Sequence, residues 1–275
     1  MIPRTHRRAA RLITAGTVLA ASAVLATAGT VSAAPLPPSL PTPATTADPS
    51  VVAGMQQYIP ALMSTLTQTG PDGKGVDPQT LAQATTALKS MPNLPPQVRS
   101  MGGSVIGFVN GTGKNAVDPN GPTAPVSINS PRVQQFLYPT IAQKCVAPTK
   151  NNSSGNAIGS AVVVAGPQNV PAPGPGQGQS GYVFTVPGTG VAVDGDSNKP
   201  LTVSWVNLDT HQQGVAQLKP NDKINAVSGP ATYTAIVDTG EGRVLSSVYG
   251  TMVWKDATGK ATSCTVAPTM GMVYV

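Results

Sequence analysis

The sequence predicts a mainly β chain with an N-terminal helical region, an α+β protein whose C-terminal half forms an antiparallel β-sandwich. Three observations carry that expectation. From about residue 157 the apolar residues recur with period two. Upstream they recur at helical spacing, behind Asp-Pro and Ser-Pro dipeptides that read as helix starts. Clusters of Gly, Pro, Asn and Asp punctuate the β segments, drawn from 29 Gly and 28 Pro in 275 residues.

The chain begins with an export pattern. Arg4, Arg7, Arg8 and Arg11 precede an uncharged Ala/Leu/Val-rich run from Leu12 to about Ala28. Val31-Ser32-Ala33 then supplies the small residues of a cleavage site, which places the cut between Ala33 and Ala34. Residues 1–33 therefore read as a signal peptide. The competing reading is an uncleaved anchor, since Leu12–Ala34 is long enough to span a bilayer, but the run is rich in Ala, Gly and Thr rather than Leu and Ile. Beyond Ala34 no comparable apolar run occurs, so no transmembrane segment is expected after cleavage.

Residues 34–48 are a Pro-rich tether. Pro35, Pro37, Pro38, Pro41 and Pro43 remove backbone donors and fix φ, which favours an extended, disordered and solvated chain. Residues 49–145 read as the helical region. After Asp48-Pro49 the apolar face is Val51, Val52, Met55, Tyr58, Ile59, Leu62, Met63 and Leu66, with Pro60 set to kink it. After Asp77-Pro78 the face is Leu81, Ala84 and Leu88. Ser130-Pro131 opens a third helical piece, Arg132 to about Tyr138. Gly102–Gly113 reads as loop, with one short apolar segment from Val105 to Val109.

Residues 146–275 are the β-sandwich. Its strands are expected at Ile158–Ala165, Tyr182–Val186, Gly190–Val193, Leu201–Leu208, Val215–Leu218, Thr232–Val237, Arg243–Trp254, Ala261–Ala267 and Met270–Val275. Tight hairpins are expected at Asp256–Gly259 and Asp238–Gly242. A Pro/Gly-rich loop at 166–181 interrupts the strands and reads as flexible. The number of strands makes an immunoglobulin-like arrangement the nearest architectural comparison. Trp205 lies between the two cysteines, but Cys145 is too far upstream for the usual pin across the sheets.

The two cysteines, Cys145 and Cys264, are expected to form one disulfide in an oxidising compartment, clipping the end of the helical region onto a late strand. A thiol nucleophile is the alternative; Lys144 adjoins Cys145, but no further pattern supports a lowered thiol pKa.

Reactive groups are scarce. His211 is the only histidine beyond the leader and Glu241 the only glutamate. No Gly-x-Ser-x-Gly elbow occurs, so a hydrolase would rest on His211 with Asp209 as its acid. Both lie in a polar turn between two strands. Asp194, Asp196 and Asn198 offer oxygens at alternate positions like the start of a calcium loop, but Lys199-Pro200 follows where glycine is needed. No phosphate loop is present among the glycines near Gly174, and no cofactor is expected.

The formal charge of +6 carries little functional weight. Without the four leader arginines it falls to +2, and the remaining lysines are scattered without interleaved aromatics. A nucleic-acid partner is therefore not expected. The sequence favours a secreted or cell-envelope-associated, non-enzymatic structural or binding protein whose partner is an envelope protein, a glycan or a lipid. The alternatives are a secreted hydrolase using His211, and a carrier holding an apolar ligand between helices and sheet, lined by Met55, Met63 or Leu88.

Overall fold

The computed structural model describes residues 96–110, 132–195 and 198–275, together with Gln79, Ala82, Gln83, Thr85, Thr86 and Ser90. The leader with its Ala33–Ala34 cleavage point, the tether, the helix expected after Asp48, and Leu81, Ala84, Leu88 and Asp196 lie outside these residues.

Alternating apolar residues give a β chain from residue 132 onward. The strands are β1 (Arg132–Gln135), β2 (Thr140–Gln143), β3 (Ala157–Ala165), β4 (Gln179–Val186), β5 (Val191–Val193), β6 (Thr202–Asn207), β7 (Gln213–Gln217), β8 (Lys219–Pro220), β9 (Ala231–Asp238), β10 (Arg243–Lys255) and β11 (Ala261–Tyr274). They form one antiparallel sheet in the order β7-β6-β10-β11-β2-β3-β4-β9-β8, with β1 added on β3 and β5 on β10. The sheet is nearly closed and barrel-like for a simple reason. β7 and β8, the two ends of that order, are consecutive in the chain and joined only by Leu218. Leu218 is buried, and its N–H donates to the Leu201 carbonyl at 2.9 Å.

The inward residues pack into one core that includes Tyr182, Phe184, Val203, Trp205, Val244, Val248 and Met252. Two phenols cross it. The Tyr182 hydroxyl lies 2.7 Å from Ser246 Oγ, linking β4 to β10. The Tyr233 hydroxyl accepts from Val253 N at 3.0 Å and sits against the carbonyls of Val193 and Val253. Burial leaves each phenol too costly to ionise at ordinary pH, and both are pushed up to about 12.

Three local expectations are corrected. Arg132–Tyr138 is not a helix: Arg132–Gln135 is strand β1, paired with Val162–Ala165 of β3. Ser130-Pro131 resembles a helix start, but the partner strand decides the conformation. Among the described residues the β fold thus begins at residue 132, inside the stretch expected to be helical. Conversely, Pro96–Val109, which includes part of the expected loop, is helix α1. Its glycines argued against helix, yet Val105, Phe108 and Val109 fall at helical spacing and are all buried. Packing overrides propensity here. The described residues between 79 and 90 are helical, as the Asp77-Pro78 start predicts. Finally, Asp238–Gly242 is not a hairpin. It leads from β9, paired with β4 and β8, to β10, paired with β5, β6 and β11.

Two expected strands, Ala261–Ala267 and Met270–Val275, are one strand, β11, with an irregularity between them. The β10–β11 register breaks around Val248/Gly250, and Pro268 sits in that break. Proline has no N–H to offer the ladder, so it is tolerated at an interruption. The β1–β2 connection satisfies the freed carbonyls: Tyr138 Oη donates to Pro268 O at 3.0 Å and Thr140 Oγ1 to Ala267 O. Burial raises the Tyr138 pKa, with a hydrogen bond involving Thr269 working against the shift. Beside the break, the Phe136 ring lies on Gly271, where a Cβ would stand 2.5 Å from the ring. Only glycine fits there.

Candidate functional site

The strands gather the loops into two groups at opposite ends of the sheet. β10, with thirteen residues, spans roughly 40 Å from one end to the other at the rise of an extended strand.

The first end contains His211 and Asp209. Asn207 organises it. This buried side chain donates from Nδ2 to the carbonyls of Thr239 (2.8 Å) and Glu241 (2.9 Å). Its Oδ1 accepts from the N–H groups of Asp209 (2.9 Å) and Thr210 (3.0 Å). One amide therefore fills all four of its hydrogen-bonding positions and ties the β6–β7 turn to the β9–β10 connection. His211 closes the turn at φ 61°, with its N–H on the Asn207 carbonyl, and its side chain is exposed.

Asp209 faces Arg243. Oδ1 accepts from Arg243 Nε at 2.9 Å and Nη2 at 2.5 Å, and Oδ2 accepts from the Arg243 backbone N–H at 2.7 Å. Burial works to raise the Asp209 pKa, but the hydrogen bonds and charge of Arg243, with a smaller contribution from His211, outweigh it. The carboxyl is held below its ordinary value. Arg243 Nη1 also donates to the carbonyls of Phe108 (3.0 Å) and Val109 (2.9 Å), completing the C-terminal turn of α1. The ring of Phe108 meets Tyr274 edge-on at 5.2 Å. Sequence reasoning missed Arg243 because it lies 34 residues from its partner.

The Pro/Gly-rich loop folds over the same end in a defined path, against the expectation of a flexible linker. Gly166 N donates to Gln179 O at 2.9 Å, Gln168 N to Pro175 O at 2.9 Å, and Asn221 Nδ2 to Ala172 O at 2.9 Å. Its Gly166–Pro167, Val170–Pro171 and Ala172–Pro173 bonds are cis. Gln177 donates to Glu241 at 2.8 Å, and Gln179 to Asp238 at 2.7 Å.

The other end is built around the disulfide. Cys145 and Cys264 are bonded and buried. The bridge joins β11 to the second residue after β2, so it clips neighbouring strands of one sheet, not a helical region onto a strand. β2 pairs with β11 through Thr265↔Gln143 and Val266↔Ala142, which brings the two cysteines side by side. Trp254 Nε1 donates to the Cys145 carbonyl at 3.0 Å.

An open groove of about 490 Å³ lies next to this bridge. Its lining includes Val146, Thr149, Asn156, Ile158, Ser160 and Pro187, drawn from the β2–β3 loop, the outer face of β3 and the β4–β5 turn. Ile158 is 44% exposed in it.

Of the calcium-loop residues, Asp194 and Asn198 are exposed. Among the described residues no group of three His, Cys, Asp or Glu side chains could hold a metal ion, and no helix is long and apolar enough to cross a membrane. Comparison with protein-family models, curated proteins and solved structures finds no match to this chain.

Proposed function

We propose that this chain is an exported, non-enzymatic binding protein, secreted or held at the cell envelope, whose β scaffold displays loops at its two ends. The observation that carries the reading is the Cys145–Cys264 bond. A buried disulfide that uses both cysteines of the chain belongs to an oxidising compartment, and the basic, then apolar, then small-residue leader supplies a route there. The use of Asp209 supports the non-enzymatic part. Its carboxylate is taken up by Arg243, which ties it to the architecture of the turn instead of leaving it to orient His211.

We read the barrel as flattened towards a sandwich, with β1, β3, β4, β8 and β9 in one layer and the remaining strands in the other. Supporting this, single phenol side chains bridge the layers at Tyr182–Ser246 and Tyr233–Val253. An immunoglobulin-like strand plan is the finer form of the same reading. A narrow core of this kind is a rigid frame and leaves recognition to the loops.

The test is turnover by the purified mature chain against ester and glycoside panels, with His211→Ala as control. The reading expects no turnover above buffer. Turnover abolished by His211→Ala would replace it with the hydrolase reading.

A further inference from the structure

Charge is sorted between the two ends of the sheet. Asp209, Asp238 and Glu241 stand at the end organised by Asn207, where Arg243 pairs with Asp209 and Arg132 donates to the Tyr274 carbonyl. At the disulfide end the β8–β9 connection carries Asp222 and Lys223, which pair with each other at 3.5 Å; the rest of that end is three segments, Lys144–Asn156, Pro187–Gly190 and Lys255–Lys260. They carry Lys144, Lys150, Lys255 and Lys260, and Asp256 is their only carboxylate. That carboxylate is already engaged by its own turn, accepting from Thr258 N at 2.8 Å, Thr258 Oγ1 at 2.6 Å and Lys260 N at 3.0 Å. All four lysines are exposed, and none forms an ion pair with a described residue.

The groove opens within this basic end. Lys144 and Lys150 stand on the same loop as Val146 and Thr149 of its lining. The β4–β5 turn, which supplies Pro187 and Gly188, is set close to Lys255: a Cβ on Gly190 would stand 2.0 Å from the Lys255 carbonyl oxygen, and one on Gly188 3.7 Å from Val146 Cγ1. An apolar floor at Ile158 and Pro187, hydroxyl and amide groups at Thr149, Ser160 and Asn156, and unpaired cations on the lining loop are complementary to one kind of molecule.

We propose that the groove binds a single-chain anionic amphiphile, with its apolar chain against Val146, Ile158 and Pro187 and its carboxylate or phosphate head at Lys144 and Lys150. The volume falls in the range of small-molecule sites. Each lysine near an anionic head contributes on the order of fivefold in affinity. This inference rests on the reading of the chain as a binding protein.

The experiment is titration calorimetry on the disulfide-bonded chain with decanoate, decan-1-ol, inorganic phosphate and phosphatidylglycerol vesicles. The expected result is saturable one-to-one binding of decanoate. It weakens more than tenfold in Lys144→Gln/Lys150→Gln, where decan-1-ol binding stays unchanged, and is lost in Ile158→Ser. Both variants change exposed side chains, so circular dichroism should show the native fold. Overturning results are absence of decanoate binding, decanoate binding indifferent to Ile158→Ser, phosphate binding as tight as decanoate, or binding to vesicles alone. Any of these removes the amphiphile site while the parent reading stands, because that reading fails on catalytic turnover, measured separately.

Discussion

Asp209 and Arg243, 34 residues apart, meet through three hydrogen bonds, and the same guanidinium reaches the last carbonyls of α1. One cation thereby joins the β6–β7 turn, the start of β10 and a helix contributed from far upstream. Arg243→Gln removes these links together. The pair is partly open to solvent, so after allowance for screening the expected loss is about 1–2 kcal/mol by urea denaturation. Amide exchange should accelerate selectively at Phe108–Asn110.

Acid should act through Asp209. Its folded-state pKa lies below the ordinary 3.8, so its contribution is present above that value and is lost as pH falls through the folded pKa. In Asp209→Asn the acid limb of the stability curve should be shallower than in the parent chain. Parallel acid limbs would assign the acid sensitivity to another carboxylate.

Alkali should act through the core phenols. Tyr182 and Tyr233 have folded-state pKa values raised from 10.0 to about 12, chiefly by burial. A raised pKa favours the neutral phenol in the folded state. Stability is therefore complete below pH 10 and declines as pH rises towards 12. Tyrosinate absorbance followed alongside circular dichroism should show these phenols ionising with loss of the fold. Tyr182→Phe should flatten the alkaline limb.

Much of the β half was legible because half-buried strands repeat every second residue, and the ends of β3, β9 and β10 fall within a residue or two of their expected positions. The misread segments are those where local signals conflict with long-range partners. α1 contains Gly102, Gly103 and Gly107 and looks like loop until Phe108 and Val109 are seen buried with Arg243 on their carbonyls. β1 follows a helix-like Ser-Pro start but finds Ala165 opposite Arg132. The groove was invisible because its walls lie on two separate segments, Val146–Ser160 and Pro187–Gly188, that only the sheet brings together. His211 was conspicuous as a rare residue type and drew attention to nearby Asp209, but the structural partner of Asp209 lies on another strand.

Asn207 should be the least replaceable polar residue of its end. In Asn207→Ala the carbonyls of Thr239 and Glu241 and the N–H groups of Asp209 and Thr210 lose their shared partner. The expected cost is about 2–4 kcal/mol by denaturant unfolding. Asn207→Asp should not rescue it, since a carboxylate cannot donate to the two carbonyls.

The disulfide closes a loop with a sequence separation of 119. Chain entropy assigns such a loop about 4–5 kcal/mol as an upper figure. The double variant Cys145→Ser/Cys264→Ser should lower the thermal midpoint. Trp254 fluorescence should report the change locally, because its indole N–H donates to the Cys145 carbonyl.

Mass spectrometry of the chain recovered from its producing cells tests the central claim most directly. The expected result is a protein outside the cytoplasm, beginning at Ala34, with Cys145 and Cys264 bridged and no free thiol. A cytoplasmic chain that retains residues 1–33 and carries two free thiols would contradict it.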